Sequence, residues 1–328
     1  MSLSAQPAWR GLVGRDQLVA DLRSLGLRRG QDLLIHCSLR QVGRIDGGAA
    51  TLLAAILEVA GPEATLVVPT QTTLNSLTSR AFLSATAGLD AEERARFVAA
   101  MPGFDPARTP STGMGAFAEH LRTHPSAARS GHPQVSFAAI GPGARACTSV
   151  HDLDCHLGDR SPLGWLYAAQ AAILLLGVGY SACTAFHLAE YHLPGVPPRR
   201  LYRCFTAQGQ TRVEHEFTDI ELDDSDFGML GSELESTVER GALPGLRRGR
   251  VGEATSRLVA LRTAVDFARS WLTVHRRRLS YGKVSHIETA SELSINTGRT
   301  YPGARDRAGG ETRIVRPWDA VFPELCSR

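Results

Sequence analysis

Residues Asp32 to Thr70 read DLLIHCSLRQVGRIDGGAATLLAAILEVAGPEATLVVPT, and the fold turns on how this stretch is parsed. Its two ends, "DLLIHCS" and "ATLVVPT", are short apolar runs of strand length. Between them "GGAATLLAAILEVAG" is an alanine- and leucine-rich helix bracketed by glycines. Two strands joined through such a helix run parallel, with a right-handed crossover.

The same alternation continues on both sides. Upstream, "DQLVADLRSLGLRRG" has apolar residues at helical spacing and stops at Gly30. Downstream, "MGAFAEHLRTH" reads as a helix, "QVSFAAIG" as a strand, "SPLGWLYAA" as a short capped helix and "AAILLLGVG" as a strand buried on both sides. This predicts a parallel or mixed α/β sheet with helices on its faces. The second half changes character. "LYRCFTA" and "RVEHEFTDI" read as a hairpin around "QGQ". "VGEATSRLVALRTAVDFARSWLTVH" reads as the longest helix, because Ala254, Leu258, Leu261, Val265, Ala268 and Leu272 form one apolar stripe. Leu74 to Pro110 is an insertion whose only clear element is a helix at "DAEERARFVAAM". The expected organisation is one α/β domain over 1–279 and an irregular C-terminal extension over 280–328.

At 328 residues and 43% hydrophobic content, the chain can bury a sizeable core. No apolar run approaches the roughly 20 residues of a membrane span, and "MSLSAQPAWRGLVGRDQ" lacks a signal-peptide layout. A soluble, cytoplasmic protein is expected, with no membrane partner. The six cysteines (Cys37, Cys147, Cys155, Cys183, Cys204, Cys326) form no zinc-like spacing, so reduced thiols and no metal are expected. With a net charge of +3, nothing points to nucleic acid, and "RRGR" (Arg247 to Arg250) and "HRRR" (His275 to Arg278) read as solvated faces. "EHEFTDIELDDSDF" (Glu214 to Phe227) gathers seven carboxylates, a segment able to face a cationic ligand.

In open α/β sheets the ligand crevice lies beyond the carboxyl ends of parallel strands. Four such ends carry polar groups: His36 to Arg40, Pro69 to Thr73, Gly141 to Ala144, and "GVGYSACTAFHLAE". Gly47 and Gly48 open a helix where free N–H groups favour an anion, although a plain tight turn fits equally well. The last strand end is the best candidate for catalysis. With Thr184 as N-cap, His187 takes the third helical position, where the positive helix end disfavours the imidazolium, and Glu190 follows one turn later on the same face. A neutral imidazole with a carboxylate on its other nitrogen is a general base; a satisfied structural histidine beside a surface glutamate is the competing reading. Cys183 next to this turn permits a Cys/His nucleophile pair, against a default of a small buried thiol. His36 reads as a packed strand residue, and His151 and His156 flank "DLDCHLGDR" without metal-ligand spacing.

Four stretches together resemble a known family. "LLIHCSLRQVGRIDGGAATLLAAILEVAGPEATLVVPT", "FDPARTPSTGMGAFAEHLRTHPSAARSGHPQVSFAAIGPGA", "GDRSPLGWLYAAQAAILLLGVGYSACTAFHLAEY" and "GEATSRLVALRTAVDFARSWL" are similar, in order, to the aminoglycoside 3-N-acetyltransferases, which confer antibiotic resistance. The resemblance implies a three-layer α/β/α fold with a central mixed, largely parallel sheet, distinct from the common N-acetyltransferase fold. It implies acetyl-CoA as cosubstrate and direct transfer to an amine within a ternary complex. His187 in "TAFHLAE" takes the place of the family's base, with Glu190 beside it. The segment Cys37, Ser38, Leu39 and Arg40 is expected along the CoA arm, Gly47 and Gly48 near its phosphates, and Thr72 among hydroxyls that stabilise the oxyanion. Of the downstream acids supporting the histidine, Asp224 is the first choice, with Asp223 and Asp226 as competitors; Tyr180, Cys183, Thr184, Asp223 and Asp226 are expected toward the acceptor. A monomer or homodimer is expected.

After "GVG" these resistance enzymes commonly carry His-Asp and then Asn-Thr, where this chain has Tyr180, Ser181, Ala182 and Cys183. Three readings therefore stay open: acetylation of an aminoglycoside-like antibiotic, biosynthetic acylation of another amine in secondary metabolism, and a CoA-binding protein without activity.

Overall fold

The computed structural model describes residues 11–284, with side chains described as far as Arg276. In chain order the elements begin with α1 (Arg15–Leu25), β1 (Leu33–Cys37), α2 (Leu39–Val42), α3 (Gly48–Ala60), β2 (Leu66–Pro69), α4 (Arg80–Thr86) and α5 (Ala91–Ala100). There follow α6 (Ala116–Arg122), β3 (Ala128–Arg129), β4 (Phe137–Ile140), α7 (Ala144–Ser149), α8 (Pro162–Ala168), β5 (Ala172–Leu176) and α9 (Phe186–Tyr191). The chain continues through β6 (Arg199–Gln208), β7 (Thr211–Ile220), α10 (Phe227–Glu239), β8 (Leu246–Val251), β9 (Ala254–Ala260) and α11 (Leu261–Val284).

Strands β1 and β2 are parallel, Leu33 opposite Leu66, as the Asp32–Thr70 pattern predicts. Strand β5 adds parallel to the other edge of β1, Leu33 opposite Ala172. The seven-stranded sheet has the order β3-β4-β2-β1-β5-β9-β8, so three parallel strands form its centre and antiparallel strands flank them. Alternation along each central strand sends side chains to opposite faces. Leu33, Ile35, Leu66, Val68, Leu174 and Leu176 join a core under α1, α3 and α6. Leu34, Val67, Ile173 and Leu175 join a second core with residues of α7 to α11. Full burial of a leucine or isoleucine stabilises by about 1.5–3 kcal/mol, and both faces of the central strands gain it.

One expected element is corrected. The segment read as the start of the longest helix is strand β9, paired with β5 and, through the turn Gly252–Glu253, with β8; the helix begins only at Leu261. It then runs to Val284, past the boundary expected at 279, and the rest of the expected C-terminal extension lies outside the described residues.

The insertion is more ordered than its pattern suggests. Helix α5 is opened by a capping box between Asp90 and Glu93. Phe82, Phe97 and Met101 pack with Phe205 of the separate β6-β7 hairpin into a third core. The histidines around "DLDCHLGDR" pin that hairpin to the body. His156 Nδ1 and its backbone N–H both donate to Asp219 Oδ2 at 2.7 Å, Tyr191 Oη donates to the same oxygen at 2.6 Å, and the His132 ring lies 4.7 Å from His151 and 4.6 Å from His156.

Helix α10 approaches the turn before α9 very closely at Gly231. A Cβ there would stand 2.0 Å from Tyr180 Cγ. Alanine normally gains about 1 kcal/mol over glycine inside a helix, but overpacking costs about 1–3 kcal/mol, so the clash wins. Gly231→Ala is expected to lower the thermal unfolding midpoint by a few degrees; an unchanged midpoint would show that the contact relaxes freely.

Candidate active site

A cavity of about 400 Å³ opens beyond the carboxyl ends of β1, β2 and β5. Its lining comes from His36 and Cys37 at the end of β1 with Ser38 after it, Pro69 at the end of β2 with Gln71 beyond it, the Gly113–Ala118 segment, and Ser181 to Thr184 with His187 after β5. Asp224 and Phe227 close it from the start of α10. The crevice predicted at the strand ends is therefore a single site for three of the four strand ends singled out in the sequence.

The turn after β5 is built from hydrogen bonds three residues apart: Cys183 N–H to Tyr180 O, Phe186 N–H to Cys183 O, and His187 N–H to Thr184 O at 3.1 Å. Ala185 occupies the cap position, so Thr184 does not cap α9 as expected; its side chain lines the cavity instead. The helix is only six residues long. What fixes His187 is its side-chain partner. Nδ1 lies 2.6 Å from Glu190 Oε2, and the two side chains are only 14% and 3% exposed. A carboxylate only accepts, so Nδ1 is the donor and, in the neutral ring, Nε2 keeps its lone pair, on a ring that lines the cavity.

Glu190 is held in turn from three sides. Its Oε1 accepts from Arg276 Nη1 at 2.5 Å and from the Asp223 backbone N–H at 3.1 Å, while Oε2 takes the histidine. The Arg276 guanidinium also donates to both oxygens of Asp226, at 2.9 and 2.8 Å, and to the Asp223 carbonyl at 2.6 Å. Burial opposes the charge of Arg276, yet the hydrogen bonds it donates to Asp226 and Glu190 hold its pKa above the ordinary value. The basic run "HRRR", expected to be a solvated face, thus contributes Arg276 to the support of the site.

The downstream acids divide in a way the sequence did not predict. Asp224 lines the cavity but pairs with Arg80 at 3.3 Å, while the carboxylate on His187 is Glu190. Asp223 and Asp226 stand behind Glu190, gripping Arg276, rather than in the cavity lining.

Other expected residues scatter. Cys37, Ser38, Cys183 and Thr184 line the cavity. Thr72 is buried with its amide on the Gln134 carbonyl, and the neighbouring Gln71 faces the cavity in its place. Tyr180 is turned into the core, its ring stacked on Phe186 at 5.9 Å. Leu39 packs on the first core, Arg40 is exposed, and Gly47 and Gly48 start α3; none of the four belongs to this lining. Burial pushes both the Cys37 and the Cys183 thiols up to about 12, so each is a neutral thiol near pH 7, which weighs against a Cys/His nucleophile pair. The sequence pattern makes His36 a packed strand residue. It is buried, its pKa lowered to about 4 by desolvation, but it also lines the cavity with an Nε2 that has no partner among the described residues.

Among the described residues no group of three or more His, Cys, Asp or Glu is placed to hold a metal ion, and no helix is long and apolar enough to cross a membrane.

A sheet with parallel central strands, covered by helices and opening at its strand ends on a histidine–carboxylate pair, is the frame of an α/β enzyme. The family model described as aminoglycoside 3-N-acetyltransferase matches residues 34–273, and the chain belongs to that family of acyltransferases. It is 33% identical over 258 residues to the SPbeta prophage-derived aminoglycoside N(3')-acetyltransferase-like protein YokD of Bacillus subtilis, covering 78% of this chain and 91% of the relative. The crystal structure of YokD superposes with a TM-score of 0.74 at 31% identity, covering 82% of this chain and 96% of that one. Aminoglycoside N(3)-acetyltransferase VII of Streptomyces paromomycinus is 34% identical, covering 80% of this chain and 92% of its own length. The structure of AAC-IIIb in binary complex with CoASH matches with a TM-score of 0.68 at 28% identity, covering 80% of this chain and 97% of that chain.

Proposed function

We propose that this protein transfers an acetyl group from acetyl-CoA directly to an amine of a small molecule, with His187 as general base. The observation that carries the reading is the 2.6 Å contact between His187 Nδ1 and the buried Glu190 carboxylate, which leaves Nε2 as an acceptor at the cavity. The amine nitrogen attacks the thioester carbonyl carbon, the N–C bond forms and negative charge develops on the carbonyl oxygen. Nε2 takes a proton from the attacking nitrogen; the C–S bond then breaks, and that proton ends on the sulfur of the departing CoA. Ser38, Ser181 and Thr184, all in the cavity lining, carry hydroxyls available to the oxyanion. The CoA-bound relative supports the donor.

The names of the relatives supply the first acceptor class, an aminoglycoside or aminoglycoside-like antibiotic. A second class, another amine of lower charge, is favoured by the pairing of this chain's acids. Asp224 faces Arg80, Glu214 and Glu216 face Arg203, and Asp226 faces Arg276. A thiol-release assay with acetyl-CoA against aminoglycosides and against monoamines separates the two, and no release with any amine would refute the catalytic reading. In the same assay Cys183→Ala is expected to reduce turnover modestly at most, since a buried neutral thiol takes no chemical part in direct transfer; abolished turnover would instead favour an acyl-enzyme.

A further inference from the structure

We propose that Arg276 is a positioning residue for acetyl transfer, acting through Glu190 on the tautomer and orientation of His187; this rests on the reading of His187 as the base. Arg276 lies three residues beyond the end of the family match at 273, within a run whose composition reads as surface charge.

The argument starts from Glu190, which is 2% exposed and packed beside apolar residues of α9. A carboxylate taken out of water is stabilised as the anion only when charge and hydrogen bonds compensate for the lost hydration. Arg276 supplies that compensation: its Nη1 donates to Oε1 at 2.5 Å, which leaves Oε2 to accept from His187 Nδ1. With Nδ1 committed to Oε2, Nε2 is the ring nitrogen left to receive the proton of the acceptor amine.

The shape of the guanidinium matters as much as its charge. Nε and Nη2 bind the two oxygens of Asp226 side-on, Nη2 also reaches the Asp223 carbonyl, and Nη1 is thereby aimed at Glu190. A planar fork with five donors can serve these partners at once; a lysine ammonium on a flexible stem cannot hold the same directions. The result ties α9, the segment before α10 and the described end of α11 to one carboxylate. Arg80 is not a substitute, because it is largely exposed and engaged with Asp224.

The test measures kcat, the KM for acetyl-CoA and the KM for the acceptor in Arg276→Ala, Arg276→Lys and His187→Ala, with thermal unfolding of each. Arg276→Ala is expected to lose about 10- to 100-fold in kcat, the scale on which a histidine's outer hydrogen-bond partner acts, with the acetyl-CoA KM nearly unchanged. Added guanidinium ion should restore part of that kcat in Arg276→Ala and none in His187→Ala. Arg276→Lys should keep the fold and still fall short of wild-type kcat, so the inference stays testable if the alanine variant unfolds. Full kcat in folded Arg276→Lys and Arg276→Ala, with His187→Ala inactive, would overturn the role of Arg276 alone. A loss in Arg276→Ala that guanidinium leaves untouched while both KM values rise would also overturn it, as plain structural damage. Full turnover in His187→Ala would overturn the base assignment itself.

Discussion

Replacing His187 with alanine is expected to lower the kcat of acetyl transfer by about 10²- to 10⁴-fold, the usual contribution of a positioned general base. Attack of an amine on a thioester yields an intermediate whose nitrogen still carries the proton that must leave. With Nδ1 committed to Glu190, only Nε2 can take it. The loss should fall on kcat more than on the KM for acetyl-CoA, because a general base acts on the proton that leaves during reaction rather than on the binding of the donor. The deficit should narrow as pH rises, since hydroxide and free amine in solution then take over part of the base's work. Thiol-release rates across pH check this, and full turnover in the variant at neutral pH would refute it.

The second large effect is on stability in acid. His36 and His151 are each lowered from 6.5 to about 4 by burial, and His132, also desolvated, lies well below its ordinary value. In the unfolded chain each would titrate near 6.5, so between 6.5 and 4 the unfolded state binds more protons than the folded one. The stabilisation from keeping them neutral is complete above 6.5 and is lost as pH falls toward 4. At about pH 5 His36 and His151 have each forfeited roughly 1.5 pH units at about 1.4 kcal/mol per unit, on the order of 2 kcal/mol per histidine, and His132 acts in the same direction. Against a net stability of roughly 5–15 kcal/mol for a typical domain, that sum is large. Thermal unfolding is expected to move steeply downward from pH 7 to pH 5, before most carboxylates titrate. His151→Asn, which cannot take up a proton, should flatten the slope by about one proton. A midpoint independent of pH over this range would mean that these rings are not neutral and buried as described.

Much of this was legible in the residues, for identifiable reasons. The parallel β1-α3-β2 unit could be read because glycines bracket a helix too long and too rich in alanine to be anything else. Strand β5 could be read because five apolar residues in a row are too short for a buried helix. The failure at β9 has an equally plain cause. Ala254 and Leu258 are four residues apart, a spacing that fits one face of a helix and, being even, one face of a strand as well. They do share a face, in the first core, while Leu261 and the rest of the stripe pack in the second. The turn signal was Gly252, which sits at φ +57° between Val251 and Ala254 and closes the β8-β9 hairpin.

The site divides along the same line. His187 and Glu190 could be paired from sequence because three residues along a helical turn places two side chains within reach of each other. Thr184 departs from its local signal: a threonine before a helix usually caps it, and here the i→i+3 turn moves the cap to Ala185 and frees the hydroxyl for the cavity. The choice among Asp223, Asp224 and Asp226 had no local answer: all three fall within four residues, and their roles depend on cations far off in sequence, Arg80 and Arg276.

The sequence by itself determined the layered α/β frame, the strand ends at which a ligand site forms, and the histidine with its carboxylate, because each is encoded in the periodicity or spacing of neighbouring residues. Only the tertiary structure decided that Arg276, 86 residues beyond Glu190, closes on that carboxylate, that Thr72 and Tyr180 turn away from the cavity, and that the acidic segment is spent largely on the chain's own arginines. Those outcomes depend on which helices and loops pack together, and an ion pair between distant positions leaves no periodic trace along the chain.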